Sequence, residues 1–205
     1  EIHPTPHQKA RAWAPEPNER AEALTSLSQR AQEDGLDVAI HTAGGENMWD
    51  DLFLQRQDPR SFPCYEGDRA FLLEFRPGAL PPQLPERLFA FRLAGLLPLI
   101  AHVERYPELE LLRRGDRAEG VRGKAALQVN LSSLGGLGGW GQKRLARKLV
   151  LADRIHVIAT DAHGPPDLRF GERGLRWLEK QLPPDDVERL LCDNPRQVLA
   201  GELPD

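Results

Sequence analysis

Three short runs, DVAI at 37–40, FLLEF at 71–75 and IHVIAT at 155–160, are apolar almost without interruption. A strand covered on one face alternates apolar and polar residues. One covered on both faces does not, and such cover comes from helices laid over a parallel sheet. Around these runs, strand candidates (EIHPT, LDVAIHT, RAFLLEF, LPLIAH, AALQVN and RIHVIATD) alternate with helical patterns at 18–33, 86–94, 107–114 and 141–152, and helices close the chain from Leu168 onward. That alternation predicts parallel strands joined by helical crossovers, an α/β fold. Proline and glycine punctuate it in RPGALPPQLP, SSLGGLGGWG and HGPPD. The LGGLGG stretch lacks the Lys-Ser/Thr of a phosphate-binding P-loop and the spacing of a dinucleotide fingerprint, so it reads as a loop feeding a helix start.

The chain has 205 residues, enough for one α/β domain over 1–205. Its 27 basic and 31 acidic residues are spread along the sequence and sum to −4, which offers no strong field to nucleic acid. No apolar run approaches the roughly 20 residues that cross a bilayer. Two cysteines, Cys64 and Cys192, make no disulfide framework, and the N-terminal stretch has neither basic lead nor apolar signal core, so a cytoplasmic setting is expected. EIHPT reads as a strand with nothing before it.

The polar residues fall at telling places. His7 follows EIHPT, Glu46 sits just past LDVAIH, Glu74 ends AFLLE, His102 ends LPLIAH, and Asp161 and His163 follow IHVIAT. The C-terminal ends of parallel strands share one face, where active sites are built, so residues distant in sequence converge there. Each has an ordinary reading taken singly: a lone strand-end histidine is usually structural, Glu74 could snorkel to solvent and Glu46 could sit in a solvated turn. Their joint placement at five strand ends argues for a metal site.

Imidazoles and carboxylates without thiolate suit manganese, iron or zinc, and six candidates allow two or more ions. Ions a few ångström apart would generate hydroxide at neutral pH and clamp a phosphoryl group. Arg105, three residues past His102, suits phosphate oxygens through its two-pronged donor geometry. His3, His41 and His156, inside or at the starts of strand candidates, are read as structural. Trp13, Trp49 and Trp140 could form an aromatic lip, with plain packing the favoured reading. Cys64 is followed by Arg69 with only four residues between, which excludes a thiol phosphatase loop, since that needs five.

In order along the chain, TPH (5–7), GEN (45–47), FLLEF (71–75), IAHVERYPEL (100–109), QVNLSSLGG (128–136), IHVIATDAHG (155–164) and DNPRQVL (193–199) resemble the polymerase-and-histidinol-phosphatase (PHP) superfamily. Within it they are most similar to the bacterial manganese-dependent protein-tyrosine phosphatases of capsule and exopolysaccharide synthesis. The resemblance implies a distorted TIM-like (β/α)7 PHP barrel, usually three Mn2+ ions, and hydrolysis of phosphotyrosine on the tail of a bacterial tyrosine kinase. It implies that His7, Glu46, Glu74, His102, Asp161 and His163 are metal ligands, that Arg105 binds phosphate, with Arg169 as a second candidate, and that Glu104 is an orienting or surface group. Members begin with a strand ending Asp-x-His-x-His, about 35 residues upstream of TPH. No such motif occurs in these residues, so the first βα unit is expected to be missing. The alternatives are a small-molecule phosphomonoesterase of the same superfamily, such as a histidinol-phosphate phosphatase, and a noncatalytic binding domain. The oligomeric state is left open.

Overall fold

The computed structural model describes residues 1–9, 15–41, 44–56, 58, 61–76, 80–107, 121 and 123–205. Six strands form one parallel sheet in the order of the chain: β1 (His7–Gln8), β2 (Glu46–Met48), β3 (Ala70–Glu74), β4 (Leu97–Ile100), β5 (Ala126–Asn130) and β6 (Val157–Ala159). The helices between and after them are α1 (Pro17–Glu33), α2 (Asp51–Gln55), α3 (Leu84–Leu93), α4 (Leu131–Gly135), α5 (Gly139–Leu151), α6 (Pro165–Gln181), α7 (Pro184–Glu188) and α8 (Asn194–Leu199). Strictly sequential parallel order means that right-handed crossovers put the helices on one side of the sheet, which then curls toward its uncovered side.

Strand periodicity separates two faces. Phe71, Leu73 and Phe75 of the β3 segment, with Ile100, Val129 and Ile158, point to the helices and join Leu88 and Phe91 of α3, Val150 of α5 and Leu178 of α6. Aromatic rings make a tight wedge here, with Phe53–Phe62 centroids 4.5 Å apart and Phe71–Phe91 4.9 Å apart. The other face carries Ala70, Leu72, Leu97, Leu99, Ala126 and Val157, partly closed by Val198 of α8.

Helix starts follow local chemistry. Pro17 opens α1, where its missing N–H costs nothing, and the Glu19 carboxylate accepts from the Glu16 amide at 2.8 Å. Pro165 and Pro166 do the same for α6. Helices α4 and α6 meet backbone to backbone: a Cβ on Gly174 would lie 2.0 Å from the Leu131 carbonyl oxygen, and one on Gly135 would lie 1.9 Å from that of Phe170.

The helical patterns at 18–33, 86–94 and 141–152 and the strands at 69–75, 97–102 and 125–130 are found within a few residues of expectation; the pattern at 107–114 lies outside the described residues after Pro107. Two strand readings are corrected. EIHPT is no strand, since Pro4 and Pro6 remove two ladder donors and the pairing starts at His7 itself, with only an isolated Ile2–Ile40 bridge before it. LDVAIHT likewise contributes only that bridge. Its Val38 and Ile40 are half-buried, and the strand proper begins at Glu46.

Candidate metal centre

Register brings the first two candidates together: His7 and Glu46 are direct partners across β1 and β2, and His7 Nδ1 contacts the Glu46 carboxylate. Glu74 ends β3 one pairing step on, opposite Met48. A ligand atom from each of His7, Glu46 and Glu74 lies within 4.8 Å of the others. Both carboxylates are buried, at 2% and 7% exposure, so neither the solvated-turn nor the snorkelling reading holds.

After β4 the chain turns at His102, a non-glycine residue in the left-handed region at φ 34° and ψ 56°, into a single 3-10 turn over Val103–Arg105. Such a conformation costs of order 1–3 kcal/mol and persists only where the surroundings impose it. Here it turns the imidazole inward, its Nε2 3.1 Å from Glu46 Oε1 and 3.5 Å from Glu74 Oε1. Asp161, just past β6, is also left-handed, at φ 48°. Asn130 Nδ2 donates to Asp161 Oδ2 at 2.6 Å, and Arg105 reaches the same oxygen at 3.4 Å and Glu74 Oε1 at 4.0 Å. His163 completes the ring of groups with its Nε2 3.2 Å from His7 Nε2. All six sequence-predicted ligands thus converge, with Arg105 half-exposed at their rim.

Several residues that the sequence reading left unassigned hold this cluster. Gln128 Oε1 accepts the His102 backbone N–H at 2.8 Å, and its amide donates to Asn130 Oδ1 at 2.7 Å. The Tyr106 hydroxyl lies 3.3 Å from His102 Nδ1, accepts the Phe75 N–H at 3.0 Å and reaches the Phe75 carbonyl at 3.1 Å. Lys9 pairs with Glu74 Oε2 at 3.0 Å. Glu104 is buried, 2% exposed, and accepts the Asn130 N–H at 3.3 Å, so of its two expected roles it has the orienting one. A signal was present for two of them: Gln128 and Asn130 alternate with Leu127 and Val129, which puts two amides on the inner face of a buried strand.

Burial alone would raise the Glu46 carboxyl, but the His102 hydrogen bond and the charges of His102, His7 and Lys9 outweigh it and hold the group below its ordinary value. For Glu104 burial dominates and pushes the carboxyl up.

The donor set fits divalent metal. His163 Nδ1 sits 3.0 Å from the Asp161 carbonyl; with the proton there, Nε2 aims a lone pair at His7 Nε2. Two imidazole nitrogens facing each other need a cation or a shared proton between them. His102 Nε2 hydrogen-bonds Glu46 Oε1, and when the Tyr106 proton rests on the Phe75 carbonyl the hydroxyl oxygen supports a proton on Nδ1, so a metal ion would take the place of the Nε2 proton, with the second-layer support typical of metal-bound histidine.

Comparison with known proteins agrees. A family model described as "Capsular polysaccharide synthesis, CpsB/CapC" matches residues 1–200. The chain belongs to the CpsB/CapC family. It is 26% identical to the tyrosine-protein phosphatase YwqE of Bacillus subtilis over 98% of this chain and 78% of that protein. It is 25% identical to the tyrosine-protein phosphatase CpsB of Streptococcus pneumoniae, over 98% of this chain and 85% of the relative. A crystal structure from work on these two enzymes, described as unique metal-dependent tyrosine phosphatases, superposes with a TM-score of 0.81 at 27% identity, covering 98% of this chain and 81% of that one.

Arg169 is exposed on α6 and makes no hydrogen bond or ion pair with the six candidates. Trp49 is packed between Phe53 and Phe75, which is the plain-packing reading; Trp140 is exposed, and Trp13 lies outside the described residues. The Cys64 thiol is pushed up to about 11 by burial and the nearby Asp68, the reverse of an activated nucleophile. His156 is structural, its Nδ1 accepting the Leu127 N–H at 3.0 Å. The LGGLGG loop leads into α5. No helix among the described residues is long and apolar enough to cross a membrane.

Proposed function

We propose that residues 1–205 are a single phosphatase domain that hydrolyses protein phosphotyrosine in a metal-dependent reaction, acting on the tail of a tyrosine kinase of capsule or exopolysaccharide synthesis in the cytoplasm. The observation that carries this reading is the convergence of His7, Glu46, Glu74, His102, Asp161 and His163 on one face, with Arg105 at its rim. These six hold two or three ions, with manganese the best match to a hard, oxygen-rich set containing imidazole. When bound, the ions supply Lewis acidity that lowers the pKa of water and offsets phosphoryl charge.

The side chains do the rest. Arg105 swings from Asp161 and Glu74 onto the phosphate, where its parallel N–H groups bind two oxygens. Arg169 is the second candidate for that phosphate. Tyr106 and Gln128 fix His102, and Asn130 fixes Asp161, so these two side chains keep their places while Arg105 moves. Overall, a water oxygen bonds to phosphorus, the bond from phosphorus to the tyrosyl oxygen breaks, and a water proton ends on the phenol.

The barrel belongs to the same reading. Strands β1 and β6 have one neighbour each among the described residues, and a cleft of about 1020 Å³ lies between them, lined by Pro4, Pro6 and His7 on one side and Val157, Ala159 and Asp161 on the other. A seventh strand entering this cleft would close a (β/α)7 PHP barrel and bring further ligands to the metal centre.

Hydrolysis of a phosphotyrosyl peptide, set beside histidinol phosphate, is the test. Chelator-sensitive turnover that favours the peptide by tenfold or more in kcat/KM is expected. A preference for histidinol phosphate would move the protein to the small-molecule phosphatases, and no turnover on either with manganese present would make it a binding domain.

A further inference from the structure

In the stretch before β1, a second group of donors meets, distinct from His7, Glu46 and Glu74. Glu1 Oε2 lies 3.7 Å from His3 Nε2 and 3.9 Å from His41 Nε2, and ligand atoms of all three residues fall within 4.8 Å of one another. The two imidazoles stack, with centroids 4.1 Å apart and planes inclined by 6°. Stacked, they present their edges in one direction, toward the Glu1 carboxylate.

Two details separate this from a chance surface cluster. His41 Nδ1 is 3.0 Å from Glu66 Oε2, so the Nδ1 proton is held by that carboxylate and the lone pair stays on Nε2, facing Glu1. A carboxylate holding the far nitrogen is the usual support of a metal-bound histidine. In addition, His41 Nε2 and both ring nitrogens of His3 are buried without a hydrogen-bond partner. Buried polar atoms left unpaired are costly, and an explanation by a bound ion is chemically apt for nitrogen lone pairs.

We propose that Glu1, His3 and His41, with His41 oriented by Glu66, form a second divalent-metal site of the zinc class that is separate from the phosphatase centre. Two nitrogens and a carboxylate oxygen with no thiolate select zinc, cobalt, nickel or copper over magnesium and calcium. A tetrahedral zinc with bonds of 2.0–2.2 Å needs its ligands about 3.4 Å apart, so the Glu1 separations of 3.7 and 3.9 Å shorten by a few tenths of an ångström and the two rings rotate out of their parallel stack until both Nε2 lone pairs meet at one point. The bound ion cross-links the stretch before β1 and the segment after α1, and Glu66 ties the loop that leads to β3 to them through His41. The ion fastens the edge of the sheet, where the Ile2–Ile40 bridge is isolated from the strand pairing that starts at His7.

Zinc titration of the purified protein, with bound zinc and manganese counted by elemental analysis, tests this on wild type and on a His3→Ala/His41→Ala double variant. Wild type should bind one zinc equivalent more than the double variant, with manganese content and phosphotyrosyl turnover the same in both. Glu66→Gln should weaken that equivalent by about 10–100-fold. Should the double variant fail to fold, His41→Gln, which keeps a polar group of similar reach, is read instead through cobalt(II) absorption, and the band present in wild type should vanish. Equal zinc stoichiometry in wild type and folded variant, or a cobalt band that survives His41→Gln, would overturn the site.

Discussion

The two faces of β3 differ in what their residues are for. Phe71 meets Phe62 and Phe91 of α3, Phe75 meets Trp49 and Tyr106, and Leu73 joins the same core, whereas Ala70, Leu72 and Glu74, one residue out of step, run from an apolar floor to a buried carboxylate. The same division appears in β5, where Val129 faces the helices while Gln128 and Asn130 bond to His102 and Asp161 of the candidate metal centre. One face is specified by packing and supplies stability. The other gathers carboxylates, amides and imidazoles whose burial costs free energy and is maintained by that packing.

The sharpest break of this comparison is on the packing side. Phe71→Ala should lose about 3–5 kcal/mol of stability in denaturant unfolding, because the ring is fully buried between Phe62 and Phe91. A loss under 1 kcal/mol would show that the wedge is not the core of the fold. On the other face, His102→Ala should cut metal-dependent turnover by at least about 100-fold while circular dichroism stays native. Tyr106→Phe keeps the ring but removes the hydroxyl near His102 Nδ1, so a loss of about 10-fold in turnover is expected, with a lowered melting temperature because the buried Phe75 N–H and carbonyl lose their partner.

The smallest effect concerns pH. Burial holds the His156 imidazole below its ordinary 6.5, and Nδ1 accepts an N–H, so the folded protein binds fewer protons there than the unfolded chain. Stability from this group is present above about pH 6.5 and is lost as pH falls through the interval between its unfolded and folded values. A His156→Gln variant should show a flatter stability profile between pH 7 and pH 5 with unaltered metal content, which guanidinium titrations at several pH values would check.

Much of this division is legible in the sequence, because period-2 patterning and strand-end placement are local. His7, Glu46, Glu74, His102, Asp161 and His163 could be picked out because parallel strands deliver their C-terminal ends to one face whatever the exact strand limits. The limits themselves were not legible at the N-terminal edge. LDVAIHT has the composition of a buried strand, yet the structure leaves Val38 and Ile40 only half-covered, since burial depends on neighbours that a local reading does not see. Tyr106 was hidden for another reason: its hydroxyl meets Phe75 across 31 residues, a contact set by the left-handed turn at His102. The pairing of His3 with His41 was equally invisible, because it rests on the Ile2–Ile40 bridge and not on spacing.

The most direct measurement is manganese content by elemental analysis together with phosphotyrosyl-peptide hydrolysis, on wild type and His102→Ala, before and after chelation. Bound manganese, turnover that chelation abolishes and added manganese restores, and loss of both in a folded His102→Ala variant are the predicted results. Turnover that survives chelation, or a His102→Ala variant that keeps wild-type metal and activity, would contradict a metal centre at these strand ends.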